Sequence, residues 1–169
     1  MSKVLIAYFS LTGNTEKMAQ YIAEGVRMSG QQAVVKKLSD IKSHEDMAGY
    51  DGYLFGSPTF HQDMAEPMKT FLFLARKAEL EGKLAGAFGS YSHDGDAPAK
   101  VLDTMQYVFK MKPFELGSFK LKDDLLAEAG RDAPDNPHYV AGEVHSGSVE
   151  GMRACQDYGR VFGERTAAG

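Results

Sequence analysis

The chain has 169 residues, of which 43% are hydrophobic and 25% are charged, and its formal net charge at pH 7 is −4. This length is enough for one domain with a sizeable core, and the mildly acidic balance argues against a nucleic-acid partner, which would require a basic face. The single cysteine, Cys155, excludes an internal disulfide and favours a reducing compartment. The apolar run near the start is too short for a signal peptide or a membrane span, so we expect a cytoplasmic protein without membrane insertion.

Strands alternate with helices along the chain. The continuous apolar run at residues 3–9 predicts a strand buried on both faces, and Met18, Ile22 and Val26 recur at the spacing of a helix over residues 14–28. Further strands are predicted at 33–38, 52–56, 84–88 and 114–121, and further helices at 66–78, 98–109 and 148–164. This order predicts an α/β fold with a doubly wound, five-stranded parallel sheet and right-handed crossovers.

In the helix predicted at 98–109, one face is apolar and carries Val101, Leu102, Met105 and Val108. Residues 122–147 contain two prolines and three glycines, and we interpret them as a long surface excursion within a single domain, 1–169. Loops of this length usually carry function or are mobile.

The turn between the first strand and the first helix is rich in small polar residues. It consists of Ser10, Leu11, Thr12, Gly13, Asn14 and Thr15. Free N–H groups and the helix dipole make a helix N-terminus a site for phosphate, and hydroxyl and amide side chains add donors. Neither GxxxxGK[ST] nor GxGxxG is present, so a nucleoside triphosphate or a dinucleotide pyrophosphate is not expected. A terminal phosphomonoester is favoured over the alternative, a plain turn with Asn14 or Thr15 as the N-cap.

This turn resembles the phosphate loop of the flavodoxin family, which has the form [ST]-x-T-G-x-T, and the resemblance covers nearly the whole chain. It implies that the phosphate is that of FMN. It also implies a flavodoxin-like strand order of 2-1-3-4-5 with FMN at the switch point, which is a property of the family and does not follow from the spacing of the residues.

Two further loops resemble those with which the family holds the flavin ring. The first follows the third strand and has the family's G-[ST]-P-T pattern, and its candidate residues are Pro58, Thr59, Phe60 and His61. The second follows the fourth strand, and its candidates are Ser90, Tyr91, Ser92, His93, Asp94 and Gly95. Tyr91, with Phe60 or His61, is the candidate for packing on the ring. The histidines and aspartates of these loops lack the spacing of metal ligands, so no metal is expected, and no catalytic side chain is assigned.

The resemblance implies an FMN-binding electron-transfer protein that carries electrons between redox partner proteins. The alternative is an FMN-dependent NAD(P)H:quinone oxidoreductase, because G-S-P-T-F-H-Q-D-M is similar to the G-T-P-T-R-F-G-N-M of that group. Phe60 stands where the quinone reductases have arginine, and Met111 stands near the place of a histidine, which favours the carrier. For this alternative the likeness also implies a homo-oligomer, since those reductases are tetramers; for the carrier the oligomeric state stays open.

Charge around the ring gives a further expectation. The reduced flavin tends toward an anion, and none of the three loops contains lysine or arginine. Four carboxylates lie in or beside the loops, those of Asp63, Glu66, Asp94 and Asp96. We expect these carboxylates to make full reduction harder and so to lower the potential of the fully reduced couple.

Overall fold

The computed structural model describes residues 1–93, 95–123, 126 and 146–169. Asp94 and nearly all of the excursion predicted at 122–147 therefore lie outside the described residues. No helix in these ranges is both long enough and apolar enough to cross a membrane.

The elements follow the predicted alternation. They are β1 (Lys3–Tyr8), α1 (Asn14–Met28), β2 (Gln32–Lys37), β3 (Gly52–Gly56), β4 (Thr59–Phe60), β5 (Asp63–Met64), α2 (Glu66–Ala75), β6 (Leu84–Tyr91), α3 (Ala97–Asp103), β7 (Lys112–Pro113), β8 (Phe119–Lys122) and α4 (Ser146–Ala168). Short 3₁₀ helices at Leu38–Asp40 and His44–Met47 connect β2 to β3, and a π-helical turn at Thr104–Val108 continues α3.

The parallel sheet has the order β2-β1-β3-β6, and both β7 and β8 pair with β6. This confirms the expected order 2-1-3-4-5, with one correction. The fifth strand is two pieces: β7 pairs with the start of β6 and β8 with its end. Gly117, between the two pieces, has a φ of 73°, a conformation that favours glycine and interrupts the strand.

Side chains of the sheet alternate between two apolar layers. Val4 and Ile6 of β1 pack in the layer with α1 and α4, whereas Leu5 and Ala7 pack in the layer with α2 and α3. The contact between α1 and α4 is very close at Gly159, where an added Cβ would overlap the carbonyl oxygen of Ile22. The glycine therefore sets how near α4 lies to the helix that begins at the polar turn.

The end of α3 departs from the prediction. The N–H of Phe109 donates to the carbonyl of Thr104, five residues earlier, which is the hydrogen bond of a π-helical turn. The extra residue shifts the apolar face by one position, so that Val108 is 53% exposed and Phe109 only 9%. Placing Val108 on the buried face is thus wrong, because the larger Phe109 fills that position in the core.

Candidate functional site

The polar turn after β1 leads into a helix that has no side-chain cap. Gly13 is the N-cap, with a left-handed φ of 93°, and no side chain in the described part of the chain caps the helix. Its N–H donates to Ser10 Oγ at 3.1 Å, and the Asn14 amide donates to Thr12 Oγ1 at 3.4 Å. The alternative of a turn capped by Asn14 or Thr15 is therefore not observed. The first N–H groups of α1 remain available to a bound anion.

Thr15 connects this turn to the end of β6. Its Oγ1 lies 2.8 Å from Ser90 Oγ, and either hydroxyl can be the donor. The two residues are only 1% and 3% exposed, so their hydrogen bond is shielded from water. Ser90 and Tyr91, which we expected in a loop, are the last residues of β6. The strand therefore fixes their position relative to the turn.

The carboxyl ends of β1, β3 and β6 meet around a cleft of about 130 Å³. Its walls are formed by Ser10, Leu11, Thr12, Thr15, Pro58, Thr59, Phe60, Ser90, Tyr91, Ser92 and Asp123. All but Asp123 are residues singled out in the sequence, so the fold brings together candidates that are 80 positions apart. Gly13, Asn14, His61, His93 and Gly95 lie outside this wall, and Asp94 lies outside the described residues.

The loop after β3 is a small antiparallel hairpin that the sequence pattern did not predict. β4 pairs with β5, and the two residues between them, His61 and Gln62, both have positive φ. Such a two-residue turn fits the twist of a hairpin. Phe60 is thereby directed to the cleft and His61 to solvent. Of the two candidates for packing on a ring, only Phe60 lies in the wall.

Polar contacts hold this hairpin against the helices on either side. Asp63 accepts a hydrogen bond from Lys69 Nζ at 2.7 Å and lies 3.9 Å from Lys100 Nζ. Lys100 Nζ also donates to the Gln62 carbonyl at 2.6 Å. The hydrogen bond from Lys69, and next that from the Met64 N–H, lower the pKa of Asp63. Because two ammonium groups offset it, Asp63 contributes little negative field at the cleft.

Glu66, another of the four carboxylates, is also paired, with Lys69 Nζ at 3.3 Å. Asp96 is exposed, where solvent screens its charge. Among the described residues, the carboxylates we expected to oppose reduction are therefore either paired or screened. Asp123, whose carboxylate accepts a hydrogen bond from Ser92 at 2.6 Å, is the one that lies in the cleft wall.

Lys120 is a cation near the cleft that the three-loop reasoning missed. Its Nζ lies 5.6 Å from the centre of the Tyr91 ring. An added Cβ on Gly95 would meet both the Lys120 side chain and the Tyr91 ring, so the glycine permits this close packing. The predicted strand order contained a signal for this. Parallel strands end at the same edge of a sheet, so the end of the predicted fifth strand, with Lys120 in it and Asp123 just after it, lies beside the end of the fourth strand.

Other reactive groups do not form a centre. Cys155 is buried, and this burial raises the pKa of its thiol to about 12, so it is not a nucleophile at neutral pH. Within the described ranges, no three His, Cys, Asp or Glu residues are grouped as a metal site would require.

Comparisons with known proteins place these features in a family context. The Flavodoxin family model matches residues 6–128. A flavodoxin of Clostridium saccharobutylicum is 28% identical over 166 residues, which cover 98% of this chain and 95% of that protein. An NAD(P)H dehydrogenase (quinone) of Acidithiobacillus ferrooxidans is 36% identical over 110 residues, or 53% of this chain and 55% of that one. The solved structure of a flavodoxin from the domain Archaea superposes with a TM-score of 0.75 at 22% identity, covering 98% of this chain and 99% of the other.

Proposed function

Because the chain belongs to the flavodoxin family, whose members bind FMN and transfer electrons, we propose that it carries electrons between redox partner proteins with FMN bound in the cleft between the ends of β1, β3 and β6. The flavin supplies the redox chemistry, and the protein supplies binding and electrostatic tuning.

The observation that carries this proposal is the uncapped start of α1. A phosphate dianion would receive hydrogen bonds from the first N–H groups of the helix and from the side chains of Ser10, Thr12, Asn14 and Thr15. Among the described residues, and apart from the two chain neighbours of Gly13, no heavy atom lies within 4 Å of where a Cβ of Gly13 would stand, so the backbone is open there. The donor set is uncharged, which suits a single phosphate better than a polyphosphate with its metal ion.

The other two loops would hold the isoalloxazine. Phe60 in the hairpin and Tyr91 at the end of β6 both line the cleft, and aromatic side chains pack well on a flat ring. Ser92, Thr59 and Pro58 complete this part of the wall. In this arrangement the chain binds and orients the ring, and Lys120 next to Tyr91 favours added negative charge on it.

The size of the cleft favours a carrier over a quinone reductase. Its volume of about 130 Å³ is below the roughly 300–1,000 Å³ of pockets that enclose a ligand. A ring bound here would extend beyond the walls that the described residues form, and it would leave an edge that a protein partner can approach. Phe60, in place of the arginine of the quinone reductases, supports the same choice.

One experiment separates the two functions. FMN-loaded protein is mixed with NADH or NADPH and a quinone, with free FMN at the same concentration as the control. We expect no nucleotide oxidation above the control, and we expect chemically reduced protein to pass electrons to cytochrome c, a one-electron acceptor. Rapid bleaching of the flavin by the nucleotide, with turnover of quinone, would instead establish the reductase.

Location and assembly form the finer part of the proposal. We propose a cytoplasmic location, since the one thiol, Cys155, is buried and unpaired by any second cysteine in the sequence. A homo-oligomer is what the likeness to quinone reductases implies, and the mass of the FMN-loaded protein in solution tests it.

A further inference from the structure

A groove on the opposite side of the hairpin from the cleft is apolar and open to solvent. It lies between α2 and the π-helical turn and has a volume of about 340 Å³. Its floor contains Met64, Leu72 and Phe109, and Phe73 and Val108 form its edges. We call it the α2–π groove. It shares no residue with the proposed FMN cleft.

The edges of the α2–π groove are unusually exposed for their chemistry. Phe73 is 74% exposed and Val108 is 53% exposed, and the neighbouring Tyr107 is 64% exposed. Single exposed apolar side chains need no explanation, but several that surround one apolar groove are typical of an interaction site. Exposing them costs solvation free energy, and in the described part of the chain nothing covers them.

The π-helical turn is the local cause of this exposure. In a regular helix Val108 would share the buried face with Met105, but the hydrogen bond from Phe109 N–H to the Thr104 carbonyl rotates it outward. Single π turns within α-helices are uncommon and occur frequently at functional sites. Here the turn supplies one edge of the groove and α2 supplies the other.

Charge indicates what chemistry would fit the groove. Its lining includes two cationic side chains, Lys69 and Arg76, and no carboxylate, although the chain as a whole carries a net charge of −4. Lys69 is shared with Asp63 and Glu66. Arg76 has no carboxylate within 4.0 Å among the residues that the structure describes. An acidic partner would therefore find a free cation at the rim.

We propose that the α2–π groove docks an acidic, amphipathic segment of a partner protein, with apolar side chains between Phe73 and Val108 and a carboxylate at Arg76. Helices that lay an apolar face into such a groove are a common mode of recognition. A second copy of this chain using the same face is disfavoured, because a two-fold contact would bring two Arg76 side chains to one interface and would supply no carboxylate from the groove lining.

The groove lies next to the proposed FMN cleft through the hairpin. Met64 in its floor pairs with Thr59, and Thr59 lies in the cleft wall beside Phe60. Lys69, at the rim, bonds Asp63 of the same hairpin. A segment docked here would thus hold its protein beside the edge of the cleft. The docking itself does not require FMN.

The test uses two synthetic helical peptides with the same leucine face, one carrying glutamates and the other lysines on the remaining positions. Binding to isotope-labelled protein, with and without FMN, is followed by NMR chemical shifts at low and high salt. We expect the glutamate peptide to bind at least ten-fold more tightly than the lysine peptide, to shift the signals of α2 and the π turn, and to weaken with salt.

Matched variants localise the effect. Phe73→Ser and Arg76→Glu should each weaken the glutamate peptide at least ten-fold, whereas Leu116→Ser, which removes a 56% exposed leucine outside the groove, should not. FMN affinity, measured on the same samples, should not change, so a failure of the FMN proposal is recognised separately. The docking proposal is overturned by equal binding of the two peptides, by no binding, by an equal effect of Leu116→Ser, or by a dimer of the chain that Phe73→Ser dissociates.

Discussion

Replacing Thr15 by valine tests how the start of α1 both supports the sheet edge and binds phosphate. The substitution keeps the shape of the side chain but removes its hydroxyl, which lies 2.8 Å from Ser90 Oγ in a site closed to solvent. The Ser90 hydroxyl then loses its partner while still buried. Leaving a buried hydroxyl unpaired costs about 1–3 kcal/mol, and we expect the flavin-free variant to lose stability by that amount.

The double variant allows the interaction between Thr15 and Ser90 to be measured separately from other effects of each substitution. Ser90→Ala alone leaves Thr15 unpaired, but Thr15→Val with Ser90→Ala removes both partners, which costs little beyond the lost packing. The sum of the stability losses in the two single variants should therefore exceed the stability loss in the double variant by about 1 kcal/mol or more. Urea unfolding, followed by circular dichroism, measures the stability of the flavin-free unaltered protein, of the two single variants and of the double variant.

Thr15→Val should also weaken the binding of FMN but not that of riboflavin. A hydrogen bond to a charged group contributes about 1.5–3 kcal/mol, so the Kd for FMN should rise roughly 10- to 150-fold, while riboflavin, which lacks the phosphate, should bind as before. Flavin fluorescence reports both affinities.

Thr166→Val is the control for this experiment, because the Thr166 hydroxyl is also buried but donates within α4 to the Phe162 carbonyl at 2.8 Å. It should lower stability and leave FMN binding intact. An unchanged Kd for FMN in Thr15→Val would show that Thr15 does not contact the phosphate. Single losses that add up to the loss in the double variant would show that Thr15 and Ser90 do not interact.

Three further predictions follow from the packing and charges. Gly159→Ala should destabilise the protein by about 2–3 kcal/mol in urea unfolding, because its methyl group overlaps the Ile22 carbonyl; an unchanged midpoint would contradict the close contact of α1 and α4. Burial raises the pKa of the Cys155 thiol to about 12, so the thiol should resist a thiol reagent at pH 8 in the folded protein and react in urea. For the same reason, the free energy of unfolding should fall as the pH rises from the unfolded pKa of about 8.5 toward that value. Rapid labelling of the folded protein would disprove this. Lys120→Met removes a cation beside Tyr91. It should therefore lower the reduction potential of the couple that forms the fully reduced flavin by roughly 20–60 mV, with little change in FMN affinity. A reduction potential that stays constant or rises would exclude this role of Lys120.

Much of the fold was predictable because its signals are local. The apolar run at the start of the chain and the spacing of Met18, Ile22 and Val26 led directly to β1 and α1, whose observed bounds differ from the prediction by at most one residue. The exposure of Val108 was not predictable in the same way. It depends on whether Val108 or Phe109 takes the buried position in the apolar layer that also contains α2, and helical spacing alone favours Val108.

In the candidate site, too, the parts that could be predicted are those with a local signal in the sequence. Its hydroxyl-rich turn could be found from Ser10 to Thr15, because the motif and its place between a strand and a helix are both local. The hairpin with His61 at its tip could not, since its two left-handed residues are neither glycine nor part of a strong turn signal. The pairing of β8 with β6 places Lys120 beside Tyr91 and Asp123 in the cleft wall. This pairing joins segments 31 residues apart, so it follows from the order of the strands in the sheet and not from any local pattern.

If uncharged donors at the start of α1 bind the phosphate of FMN, the unaltered protein must distinguish FMN from riboflavin, and the affinities for these two flavins are the decisive measurement. Two or more hydrogen bonds to the phosphate, at about 1.5 kcal/mol or more each, predict that FMN binds at least about 100-fold more tightly than riboflavin. Equal affinities for the two flavins, or a protein that binds neither, would contradict it.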